Sequence, residues 1–356
     1  MGIWYATREQ VKGSLEIADT AFNDALVDQK IDAGARSAEG FLRRRYYPER
    51  RTFSMDWPNY QYAPDWRIYL GRNEMVSLEQ VLVGSTDITS SCILRRGDDL
   101  AEPPYSILEV NLSSNAAFGG GPTFQQSVHI TGVAGYSETA TTDAAGTLNG
   151  ALTNVAATVT IDPVAGLLPL GVGSLLKIES ERVVISGRRF ITSGQTITNS
   201  PTANQNAQIL TVASAANFVV GETILIDAER MLVKDIAGNT LLVARAWDGT
   251  TLAAHTSGAT VYVPRQFSLR RGVLGSTAAA HNAATAVYAH EFPPILNELN
   301  IAEAVVLLEQ NSSAYARTVG SGDAERQAGA GQGLEDLRDR AMRAIGRAPG
   351  TRIGAI

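Results

Sequence analysis

A chain of 356 residues, 44% hydrophobic and 19% charged, is long enough for two or three domains and apolar enough for a sizeable core. Its formal net charge of −6 argues against a dedicated nucleic-acid-binding protein. A single cysteine, Cys92 in "ITSSCIL", excludes an intrachain disulfide framework and reads as a small buried hydrophobe.

The opening "MGIWYATREQ" has no basic segment leading into an apolar run, and Ala6 breaks the myristoylation pattern. No apolar run is long enough to span a bilayer, so intracellular synthesis and no membrane partner are expected. Thr7 and Gln10 form a capping box. Val11, Leu15, Ala18, Phe22 and Leu26 follow on one helical face. A second helical pattern carries Ile31, Ala35, Ala38 and Leu42 and stops at Pro48. "FLRRRYYPERR" is the strongest charge cluster; Arg43, Arg44, Arg45, Tyr46, Tyr47, Arg50 and Arg51 are candidates for a subunit interface or for contact with DNA. Phe53–Trp66 reads as a Pro- and aromatic-rich loop. "RIYL", "MVSLEQVLVG", "CILRR", "YSILEV" and "SVHITGVAGY" read as strands. "FGGGP" lacks the lysine of a phosphate-cradling loop.

From Ser137 a small, polar stretch reads as a linker. The chain from Ala156 to Tyr288 reads as all-β. Here it repeats itself. "RAWDGTTLAAH" (Arg245–His255) returns 26 residues later as "RGVLGSTAAAH" (Arg271–His281), and "GSLLKIESERVVI" returns 48 residues later as "GETILIDAERMLV". Two unequal offsets imply nesting: one module, about 205–263, inside a split one, about 158–189 plus 266–288. Arg245, Gly249, His255, Arg271, Gly275 and His281 are expected to be structural turn residues, since glycine supplies turn geometry and one His per repeat does not make a metal or acid–base site. Helix returns at Pro293-Pro294 and again over Leu334, Leu337, Ala341 and Ile345. "GRAPGTRIGAI" reads as an extended tail.

The helical pair ending in "AEGFLRRRYYP", the strands "LEQVLVGSTDIT" and "VHITGVAGY", the Pro-started helix and the short last helix together resemble the head–tail connector (adaptor) family of tailed bacteriophages. The resemblance covers about 1–136 and 293–356; the β region stands as an insertion. It implies an α+β fold: a mainly helical connector core with short strands, plus an inserted all-β domain at 137–292 containing the nested duplicated module. It implies a structural virion protein, not an enzyme, without cofactor or metal. The protein would form a homo-oligomeric ring, a dodecamer, at the virion neck after assembly in the host cytoplasm. Its partners would be the portal and the next neck, stopper or tail protein, with genomic DNA passing through during ejection. The tail residues Arg347, Arg352, Ile353 and Ile356 would bind the portal. A dodecamer would carry roughly −72 overall, which suits a channel that does not hold DNA. A virion-surface or carbohydrate-binding β module, and a tail-associated hydrolase, are the alternatives.

Overall fold

The computed structural model describes residues 2–15, 23–57, 64–97, 101–119, 123–138, 144–163, 170–216, 218–312, 318–319, 326–327 and 332–347. Strand accounts for 36% and helix for 21% of them. This corrects the expectation of a mainly helical core. The helices are present, but the longest-range organisation is β, built from strands paired across long sequence separations that a local reading cannot weigh. The chain divides into two compact units: Met1–Ala38 with Ala140–Val273 and Thr277–Ala344, and Glu39–Thr139 with Leu274–Ser276 and Ile345–Ile356.

In the second unit β1 (Glu49–Met55), β2 (Arg67–Tyr69), β3 (Met75–Val83), β4 (Thr86–Asp87), β5 (Cys92–Arg95), β6 (Ile107–Val110) and β7 (Val128–Ala134) form two sheets, ordered β1-β7-β3-β4 and β2-β6-β5. Phe53–Met55, expected in a loop, lies in β1, where alternate residues are exposed. That period-2 pattern is stabilised only by pairing with β7, in register from Glu49↔Ala134 to Met55↔Val128. Ile68, Met75, Val81, Leu108, Phe118 and Ile130 fill the space beneath. Cys92 is half-buried, and burial pushes its thiol up to about 12.

The first unit holds β8 (Gly146–Leu148), β9 (Thr158–Pro163), β10 (Leu175–Ile178), β11 (Glu181–Thr196), β12 (Ile209–Thr211), β13 (Thr223–Ile226), β14 (Glu229–Ala237), β15 (Thr240–Ala244), β16 (Thr260–Arg270) and β17 (Ala286–Ala289). Six of these close into a barrel, β11-β10-β17-β8-β9-β16, through the β11–β16 pairing. The other ends of the same two long strands start a second ring, β11-β16-β13-β14-β15-β12, shut by the Ile197↔Val212 bridge. The register slips between Arg189 and Ile191, opposite Gln266 and Val263, where Pro264 removes a ladder donor. There the strands pass from one barrel to the other.

Strands β10–β11 and β13–β14 correspond at the 48-residue offset, and β15–β16 and β16–β17 at the 26-residue offset. The first barrel reaches further back than the repeat alone suggests. β8 lies in the stretch that reads as a linker, where Gly146 sits under the Asp162 carbonyl with no room for a Cβ. The nested barrel likewise takes its first strand from the end of β11.

Four helices complete the described part of this unit or end at its boundary: α1 (Arg8–Ser14), α2 (Asp24–Leu42), α3 (Pro294–Ser312) and α4 (Gln332–Ile345). The Thr7–Gln10 capping box starts α1. The single face expected from Val11 to Leu26 is divided: α1 ends at Ser14 and Leu26 belongs to α2. Val11, Val27, Ile31, Ala304 and Leu308 share one core with Leu176, Ile185, Phe267 and Val287 of the first barrel. The nested barrel has its own core around Ile224, Met231, Leu241 and Val261. Gly34 lets α2 approach α3 closely; a Cβ there would stand 3.0 Å from Asn300 and Glu303. Buried Asn300 ties the seam, accepting from Tyr5 N and donating to Ile31 O.

Candidate functional site

The repeat residues assemble into two matching buried clusters, one per barrel. In the nested barrel Arg245 donates from Nε and Nη2 to both oxygens of Glu229, each at 2.8 Å. Its remaining N–H groups reach the carbonyls of Thr202, Ala207 and Ala253. His255 Nε2 lies 2.9 Å from Glu229 Oε2, and its Nδ1 lies 2.7 Å from Asp227 Oδ2. In the first barrel Arg271 grips Glu181 at 2.6 Å through both arms and donates to Thr153, Ala156 and Ala279 carbonyls. His281 bridges Glu181 and Glu179, 2.8 Å from each. Backbone N–H groups of Ala246 and Ala253, and of Gly272 and Ala279, complete the two carboxylates.

The local backbone repeats as well. Ala246, Asp248 and Gly249 have φ of 53°, 55° and 69°; Gly272, Leu274 and Gly275 have 58°, 55° and 76°. Three left-handed residues in four fold the segment back, so that the Arg and the His of each repeat face the same Glu. Gly249 and Gly275 meet this requirement without a Cβ penalty.

The electrostatics follow from burial and bonding. Burial alone would push the Glu181 and Glu229 carboxyls up. Hydrogen bonds from Arg271, His281 and two backbone N–H groups outweigh this at Glu181, as those from Arg245, Ala246, His255 and Ala253 do at Glu229. Each is held at about 2. Each imidazole has a carboxylate oxygen within hydrogen-bond distance of both ring nitrogens. Glu181, Glu229, Arg245, His255 and His281 are each at most 3% exposed. The central Glu, Arg and His of each cluster are thus shut off from solvent, while the outer carboxylates Asp227 and Glu179 are exposed.

Asp227, Glu229 and Glu181 stand near the repeats in sequence, but Glu179 is recognisable only as the counterpart of Asp227. Both lie two residues before the central Glu and at the same 48-residue offset, with φ of 53° and 51°. The buried Arg265–Glu222 pair, at 2.9 Å, carries no repeat signal and is visible only in the structure.

The arginines of 43–51 are dispersed by the second unit. Arg44 forms a fork with Glu74 at 2.7 and 2.9 Å and donates to Ile345 O. Tyr46 is buried and also reaches Ile345 O; Tyr47 is buried. Arg45 pairs with Glu49, and Arg50 with Glu79, while Arg50 N–H donates to Leu274 O. Arg51 donates to Asn73, and Arg43 is exposed. Arg347 donates to Gly71 O and Leu42 O. Arg352, Ile353 and Ile356 lie outside the described residues.

Two further arrangements were candidates for chemistry. Ser54 Oγ and His129 Nδ1 lie 2.8 Å apart on an exposed sheet face. The residue in register on the other side of His129 is Leu82, and among the described residues the ring's Nε2 has no hydrogen-bond partner that would orient it as a base. A cleft of about 570 Å³ beside α3 is lined by Trp4, Tyr5, Leu170, Leu175, His290 and Phe292. Asn297, which also lines it, is already bonded to Tyr5 O and Gln10. No protein-family model, curated protein or solved structure matches this chain.

Proposed function

We propose that the chain is a structural subunit of a phage neck, forming a ring between portal and tail through which DNA passes. The observation that carries this reading is the pair of clusters with buried Glu–Arg–His centres. The ionisable groups that the fold brings together most tightly are used to lock two copies of one barrel, as a rigid scaffold requires and a turnover site does not. The sequence resemblance to head–tail connectors supplies the assembly. The excess of acidic groups suits a channel that DNA must traverse without sticking. Arg347 is engaged within the chain, so the proposed portal contact narrows to Arg352, Ile353 and Ile356.

Native mass spectrometry and electron microscopy of the purified protein, alone and with portal, test the reading. The expected result is a closed ring of about twelve copies that joins the portal. A protein that stays monomeric at micromolar concentration, with and without portal, overturns it.

A further inference from the structure

In a chain with net charge −6, one part of the second unit is strongly basic. A small pocket is lined by Arg45, Arg51 and Arg72, with Glu49 and Glu74 among them. Glu74 is already gripped by Arg44 from outside the lining, so Glu49 is the carboxylate left to the three lining arginines. Arg51 uses Nη2 on Asn73, while its Nε–H is buried without an acceptor. Arg72 is exposed and has no hydrogen-bond or ion-pair partner among the described residues. Arg45 is half-exposed and holds Glu49 only at 3.3 Å.

An orphaned buried guanidinium N–H is costly unless something accepts from it. With two further arginines at the same opening, one without a partner and one loosely held, the missing group is an anion with several oxygens. We propose that this pocket binds a phosphate group. Guanidinium forks match phosphate oxygens, and a phosphate can accept from separate directions at once. The pocket is small and open to the surface at exposed Arg45 and Arg72, which suits a phosphate carried on a nucleic-acid backbone with the rest of the polymer outside. Free inorganic phosphate has the same chemistry and is separated by the test. The proposal does not rest on the ring reading, because the pocket lies within one chain.

The test uses the full chain. Binding of a 30-base-pair duplex is followed by fluorescence anisotropy over a salt series, and inorganic phosphate is titrated separately by calorimetry. The variants are Arg72→Ala, the double variant Arg45→Ala/Arg72→Ala, and Arg343→Ala as an exposed control on α4. Thermal melts verify folding; Arg45 and Arg72 are exposed enough that both substitutions should leave it intact. The double variant should weaken duplex binding about tenfold and flatten the salt dependence by about one to two phosphate contacts. The control should not. Phosphate binding without duplex binding, lost in the double variant, supports the site and assigns it to free phosphate. Duplex and phosphate binding within twofold of wild type in the double variant, or binding of neither by the wild-type chain, overturns the proposal. So does a double variant that changes only the oligomer mass, because the anion would then be a carboxylate of a second copy.

Discussion

Glu229 and Glu181 each hold an arginine, a histidine and two backbone donors. Glu229→Gln keeps the shape but leaves Arg245 and His255 facing a neutral amide in a buried site. Breaking a buried ion pair from one side costs ~3–5 kcal/mol, and we expect that loss in the urea midpoint of Glu229→Gln and of Glu181→Gln. The exposed control Glu335→Gln should shift stability by less than about 0.5 kcal/mol. The pH dependence has a definite sign. Both carboxyls titrate at about 2 in the folded chain, below the ordinary 4.5. Their stabilisation is therefore complete above about 4.5 and disappears as pH falls toward 2. Thermal melts at pH 6, 4 and 3 should show the loss beginning below pH 4.5, and the two Gln variants should each show less of it. His255→Gln retains a hydrogen-bonding group and should be tolerated better than His255→Leu, which takes one partner from buried Glu229. Equal unfolding midpoints for the two His variants would contradict this.

At the scale of elements, the nested barrel is an excursion between two paired residues. Arg189 and Gln266 are direct partners in β11 and β16. Joining them by an Asn-Gly turn, with 190–265 removed, should leave the first barrel closed with its helices packed, because a two-residue turn suits an antiparallel pair. The excision removes Asp248 from Lys12, but Asp24 remains bonded to that lysine. Deleting all of 137–292 should instead unfold the remainder of the first unit, since Val11, Val27, Ile31, Ala304 and Leu308 pack on that barrel. Circular dichroism and a cooperative melt distinguish the outcomes. A folded 137–292 deletion would show that the helices need no barrel. Gly34→Val should cost ~1–3 kcal/mol by forcing α2 away from α3, measured by chemical denaturation.

At the scale of the whole molecule, the proposed ring makes a weak tail contact strong by repetition. Deleting Ala348–Ile356 should reduce portal co-sedimentation at least tenfold while leaving ring mass unchanged. Binding equal to the full-length chain would remove the tail from the interface. The helices α1 and α3, with the larger part of α2 and α4, belong to the same unit as both barrels. The sequence-based division, which sets the terminal helices apart from 137–292, fails to anticipate this. Hydrophobic periodicity shows that a face is buried but not what buries it.

Local signals were sufficient where the cause is local. The Thr7–Gln10 cap, the apolar face of α2 and the Pro-initiated α3 follow from chemistry within a few residues, whereas α2 ends at Leu42, before left-handed Arg43, and not at Pro48. The two repeat offsets could be read because duplicated residues keep their spacing. The site was half legible: Arg245, Gly249 and His255, with their counterparts Arg271, Gly275 and His281, stood out by repetition. Which carboxylates face the histidines depends on hairpins that bring residues 28 and 102 positions apart into contact. Only the tertiary structure decided that β8 leaves the apparent linker to help close a barrel, that β11 and β16 serve two barrels at once, and that Arg51 and Arg72 meet at one pocket. Those outcomes rest on strand pairing across long loops, whose register is set by side-chain faces meeting in three dimensions rather than by any neighbouring residue.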